Sequence, residues 1–156
     1  MIYREVIDKM QKWCAYQDRS QQQVKQHLAR LGVFAEDADA VLVELIGEGF
    51  VDEERFARSF ARGKFRIKRW GRIKIRQELR LNGVPEKVIA LGLKEIDDDE
   101  YQSVIEQLVL KEVCKEASDY YRIKNKLYGK GFEPEQVELI LKQLKKPIEN
   151  DFGFEE

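Results

Sequence analysis

The sequence predicts an all-α chain, an elongated array of three tandem three-helix repeats, on two observations. Three stretches match one another, VKQHLARLGV at 24–33, IRQELRLNGV at 75–84 and IKNKLYGKGF at 123–132, with offsets of 51 and then 48 residues. The register also persists beyond the match, because Ala38, Leu42 and Leu45 correspond to Ile89, Leu93 and Ile96, then to Val137, Leu141 and Leu144. A period of this length marks supersecondary units that bury their apolar faces against one another. The expected boundaries are 1–50, a basic repeat at 51–96, a third repeat at 97–146, and an acidic, flexible tail at 147–156.

Each element has its own signal. In the first repeat, Ser20 with Gln23 forms a capping box for the middle helix. Every middle helix carries an apolar pair four apart (Val24 and Leu28, Ile75 and Leu79, Ile123 and Leu127) and stops at Gly32, Gly83 or Gly131, where a left-handed residue would cap it. The third helix of each repeat follows at once. Pro85 and Pro134 suit a first helical position, where a missing N–H costs nothing, and Pro147 is expected to end the last helix. The run from Asp97 to Glu100 reads as a helix start, with acids at the positive end of the helix.

The opening helix of the second repeat begins at Asp52 as N-cap, with Val51 and Phe56 as a hydrophobic staple. Phe56, Phe60, Gly63, Ile67 and Trp70 then advance by four, three, four and three, a helical stripe closing near Gly71. Arg55, Arg62, Arg66 and Arg69 gather on one flank, and Arg58 lies slightly further round. The alternation KFRIK imitates a strand for five residues only. Phe65 does not fit, lying about 180° from the stripe. Either the helix loosens at Gly63 and turns the ring inward, or an aromatic stands exposed among bases, where it could stack an unpaired base or anchor a protein.

Composition narrows the function. At 156 residues with 43% apolar and 10% aromatic, the chain can build a real core. No run approaches the ~18 apolar residues of a membrane span, and MIYREVIDKM carries acids where a signal peptide is apolar. The expected compartment is the cytoplasm. Cys14 and Cys114, a hundred residues apart with apolar helical neighbours, read as buried reduced thiols. The net charge of -1 hides a polarised chain: residues 55–80 hold eleven Lys or Arg against one acid, Glu78, so that segment carries +10 and the remainder -11. Such segregation favours a polyanionic or acidic partner.

Catalytic signals are missing. The sole histidine, His27, aligns with Glu78 and Lys126 in the other repeats, a surface position. No nucleophile is paired to a base, and the glycines never form a phosphate-binding loop. The reading is a non-enzyme with no cofactor and no metal.

Tandem three-helix units in which GFVDEERFARSFARGKF leads into GRIKIRQELRLNGV resemble the RecX family of bacterial regulators. The resemblance is densest in the second repeat, at Gly49-Phe50-Val51-Asp52, Arg55-Phe56-Ala57, Gly71, Ile75, Glu78-Leu79 and Gly83-Val84. It extends to Arg122, Leu127, Gly131-Phe132 and Leu144 in the third and to Arg19-Ser20 and Leu28 in the first. Arg72 stands where the family pattern has a proline, and Asn82 where it has a lysine. The resemblance implies a monomeric, non-enzymatic protein that binds the RecA recombinase, lies along its filament on single-stranded DNA, and modulates, usually inhibits, recombination and repair.

On the residues alone, a stand-alone DNA-binding module and a protein-only adaptor stay open. The candidate contacts with a filament or with DNA are Arg55, Arg58, Arg62, Lys64, Phe65, Arg66, Lys68, Arg69, Arg72, Lys74, Arg76 and Arg80.

Overall fold

The structure, a computed structural model, describes residues 3–113 and 120–151, with side chains through Leu144. Among the described residues there are nine α-helices and no strand: α1 (Tyr3–Tyr16), α2 (Gln21–Arg30), α3 (Ala35–Gly47), α4 (Glu53–Arg66), α5 (Arg72–Leu81), α6 (Glu86–Leu93), α7 (Asp98–Val113), α8 (Tyr120–Gly129) and α9 (Pro134–Asp151). They follow in threes, and each middle helix is ten residues long.

The repeat glycines close these middle helices identically. Gly32, Gly83 and Gly131 lie at φ of 82°, 75° and 95°. The N–H groups of Val33, Val84 and Phe132 donate to the carbonyls of Leu28, Leu79 and Leu127, while the glycine N–H groups donate to Ala29, Arg80 and Tyr128. This is the Schellman arrangement, which satisfies carbonyls the helix itself leaves orphaned. The apolar pairs Val24 and Leu28, Ile75 and Leu79, Ile123 and Leu127 are all buried.

Helix starts are equally local. Ser20 is fully buried, and its hydroxyl accepts the N–H of Gln23 while the Gln23 side chain accepts the N–H of Ser20. Asp52 accepts the N–H of Arg55 at 3.0 Å, and Asp97 accepts that of Glu100 at 3.0 Å. Pro134 opens α9, whereas Pro85 stands one position earlier than expected, as the N-cap of α6. The last helix does not end at Pro147: α9 continues to Asp151. A proline there deprives one carbonyl, that of Gln143, of its donor, which a terminal turn tolerates better than a helix centre. Residues 152–156 of the expected tail, and Cys114, lie outside the described residues.

Compactness divides the chain into two units that do not follow the repeats. One comprises Met1–Gly63 and Arg76–Glu95, the other Lys64–Ile75 and Ile96–Glu156. In the first, Val6, Ile7, Met10 and Cys14 of α1 meet Val24 and Leu28 of α2 and Val41, Leu42 and Leu45 of α3. There α6 also comes within backbone distance of α4, since a Cβ on Gly92 would lie 2.8 Å from the Ala57 carbonyl oxygen. In the second unit the fully buried Tyr101 ring lies 5.7 Å from Phe65 and 5.4 Å from Phe132, centroid to centroid. Backbone meets backbone at Gly71, where a Cβ would sit 2.2 Å from the carbonyl of Gly131. The N–H of Gly71 donates to Lys130 and that of Ile73 to Gly131.

The apolar stripe of the second repeat requires correction. Phe56, Ala57, Ala61 and Phe65 are buried, while Phe60 and Trp70 are half-buried. Ile67 is 79% exposed, whereas Phe65 is 1% exposed. The stripe fails because α4 ends at Arg66, short of Ile67 and Trp70. Small Ala57 and Ala61 are fully buried, and Phe65 turns inward to meet Tyr101 from a helix far downstream.

Candidate basic interface

The twelve candidate contacts fall into both units. Arg55, Arg58, Arg62, Arg76 and Arg80 belong to the first, and Lys64, Phe65, Arg66, Lys68, Arg69, Arg72 and Lys74 to the second.

In the first unit most of the guanidinium groups serve the fold. Arg55 donates to Asp18 at 2.8 Å and to the carbonyls of Gly49 and Phe50 at 3.1 and 3.3 Å, so it closes the turn that follows α3. Arg58 donates to Glu54 and Glu95, and Arg62 reaches the second Glu95 oxygen at 3.2 Å. The bonds from Arg58 and then Arg62 hold the Glu95 carboxyl below the usual carboxylate range. Arg80 pairs with Glu86, whose carboxyl is likewise lowered, first by that bond.

In the second unit Arg66 stands 3.6 Å from Glu100, and Arg69 donates to Gln107 at 2.9 Å. Arg69 adopts φ 58°, the left-handed region a glycine would occupy more cheaply, and its N–H still bonds the Phe65 carbonyl. Arg66 and Arg69 rim a cleft of about 200 Å³ with Ser103 and Gln107 across it. The ammonium groups of Lys64 and Lys74 lie 4.8 and 4.4 Å from the centre of the Trp70 ring. Arg72 pairs with Asp98 and lies 4.1 Å over Tyr101, while its backbone N–H donates to the Tyr101 hydroxyl at 3.0 Å. A proline at position 72 could not supply that bond.

Two sequence expectations change here. Phe65 is core, so its ring is unavailable to stack a base. The basic segment is also less bare of acid than residues 55–80 suggest, because Asp18, Glu86, Glu95, Asp98 and Glu100 are folded onto it from other elements. Exposed pairs add little stability. Their effect is to lower the net positive charge of the flank. Lys68 and Arg76 are exposed and make no ion pair among the described residues. Sequence reading placed no contact on the third repeat, although Arg122 and Lys126 on α8 and Lys130 just after it recur at every fourth residue, a period that was legible.

Among the described residues no three of His, Cys, Asp and Glu gather as metal ligands would, and no helix is long and apolar enough to cross a membrane. His27 stacks on Trp13 at 4.1 Å instead.

A family model described as "RecX, second three-helix domain" matches residues 52–93, which are α4 to α6. The protein named "Regulatory protein RecX" from Pelodictyon phaeoclathratiforme is 29% identical over 142 residues, covering 90% of this chain and 89% of that one. The chain is similar to RecX proteins over most of its length. The RecX of Oceanobacillus iheyensis is 26% identical over 146 residues, and a crystal structure of RecX from Lactobacillus salivarius matches 92% of the chain with a TM-score of 0.81 at 20% identity. That likeness supports the fold. Several RecX relatives are longer, and the chain spans about half the length of those from Oceanobacillus iheyensis and Geobacillus kaustophilus.

Proposed function

We propose that the chain is a non-enzymatic regulator of the RecA recombinase that binds along the RecA filament on single-stranded DNA and restrains its growth and strand exchange. The observation that carries this reading is the coincidence of the RecX second-domain match, residues 52–93, with the densest run of positive charge in the chain. A run of helices with one basic section suits a groove lined by phosphate or acidic side chains. The internal ion pairs refine which residues act. Arg58 and Arg62 are committed to Glu95, whereas Lys68 and Arg76 are open to a partner.

The test is a titration of fluorescent single-stranded DNA with the chain, with and without the recombinase. Binding that requires the filament supports the regulator. Tight binding to DNA alone would favour a stand-alone module, and no association with either would favour an adaptor for some other protein. The variant K68E/R76E breaks no ion pair and should weaken filament association while leaving the melting temperature unchanged; parent-like association would remove these residues from the interface.

A further inference from the structure

The first unit also holds a cleft of about 490 Å³, bounded by the glutamine-rich face of α2, by Glu53 at the start of α4 and by Gly83 just after α5. That volume lies in the range of sites that take small ligands. The polar atoms fixed in it are acceptors. Glu53 is half-buried, and one of its carboxylate oxygens accepts the N–H of Gln21 at 3.2 Å, yet it forms no ion pair among the described residues. Burial pushes its carboxyl above the ordinary range, the Gln21 N–H offsets part of this, and the charge of Asp52 adds to it. The acid is short of positive charge. Gln22 is held the other way round: its amide nitrogen donates to the Leu81 carbonyl at 2.8 Å, which turns its Oε1 toward Gly83. A Cβ on Gly83 would come 2.7 Å from that oxygen, so the glycine leaves it uncovered. Lys25, the cation on this wall, is drawn off to Asp39 of α3 at 3.3 Å.

We propose that this cleft binds the guanidinium group of an arginine derivative on the Glu53 carboxylate and the Gln22 Oε1. A guanidinium presents a planar fork of N–H donors and no acceptor, so it can bond a carboxylate and an amide oxygen at once. Its charge supplies what Glu53 lacks. An ammonium is a compact, more strongly hydrated charge and loses more water on entering a half-buried cleft. Ala29, exposed on the same wall, offers an apolar seat for the alkyl stem. The ligand could be a free small guanidine or an arginine side chain on another protein, since both present the same head group. The site stands whether or not the chain acts on the recombinase.

The experiment titrates the isotope-labelled full chain with N-acetylarginine amide and follows the backbone amide resonances of Gln21, Gln22 and Gly83. These should shift saturably. The citrulline counterpart, nearly the same shape without the charge, and the lysine counterpart should each bind about tenfold or more weakly. E53Q keeps an oxygen for the Gln21 N–H, so it should preserve the melting temperature while weakening the arginine probe about tenfold or more. Equal binding of the arginine and citrulline probes overturns the proposal, as does an unchanged affinity in E53Q. So does a parent chain whose resonances at these residues do not respond. Should E53Q melt early, the three probes on the parent chain decide alone. A short peptide with one arginine among glycines then separates the sources: tighter binding than the amide assigns the site to arginine on a protein, and equal binding assigns it to a free guanidine.

Discussion

The hydroxyl of Tyr101 donates to Glu133 at 2.6 Å while accepting the backbone N–H of Arg72 at 3.0 Å. Burial first, and then the bond to Glu133, push the phenol far above its ordinary pKa, so it remains a donor at neutral pH. Tyr101→Phe keeps the ring contacts with Phe65 and Phe132 but leaves the Glu133 carboxylate and the Arg72 N–H without this partner. The expected cost is about 1–3 kcal/mol. Urea unfolding should show a lower midpoint with an unchanged slope.

Two glycines on either side of the α4 terminus should respond in opposite directions. Gly71→Ala would push a methyl group to 2.2 Å from the Gly131 backbone, where neither chain can rotate away, and should destabilise by about 1–3 kcal/mol. Gly63 lies inside α4 with nothing within 4 Å of an added Cβ, so Gly63→Ala should raise stability by about 0.5–1 kcal/mol. Thermal melts of the pair check both the sign and the contrast.

Phe65→Ala should cost about 3–5 kcal/mol, the range for a fully buried aromatic. Phe60→Ala, at a half-buried position, should cost clearly less. Equal losses, measured by chemical denaturation, would put the buried face of α4 back on the Phe56–Phe60 line that the sequence suggests.

His27 is the chain's one histidine, so its titration can be read without assignment. Its ring lies parallel to Trp13, and burial first, then the charges of Arg30 and Arg19, lower its pKa. A folded value below the unfolded one means that folding favours the neutral ring. That contribution is present above the ordinary histidine value and is lost as pH falls through the folded pKa. The imidazole proton resonances should titrate with a midpoint below about 6.5; a midpoint at or above it would contradict the partial burial of the ring beside Arg30 and Arg19.

The parts of the fold legible in the sequence are those decided within a few residues. The Schellman closures at Gly32, Gly83 and Gly131, the capping box at Ser20 and the N-caps at Asp52 and Asp97 all join residues at most five apart. Buried pairs four apart in the middle helices belong to the same class. The misjudged positions depend on distant partners. Phe65 is inside because Tyr101 waits for it, and the stripe through Ile67 fails because the chain leaves the helix at Arg66 to bring Gly71 against Gly131. The candidate site was legible as a density of charge. Which arginines are spoken for was not, because Glu95, Asp98 and Glu100 lie outside the basic segment and only folding assigns them.

The two compact units are interleaved along the chain: Lys64–Ile75 belongs with the residues that follow Ile96, while Arg76–Glu95 belongs with those before Lys64. A single cut can therefore leave one unit whole, but never both. A fragment ending at Gly63 would lack Gly92 against Ala57, and one beginning at Ile96 would present Tyr101 and Phe132 without Phe65. Although the sequence reads as a threefold duplication, its second repeat is shared between the two units, so removing that repeat would take residues from both.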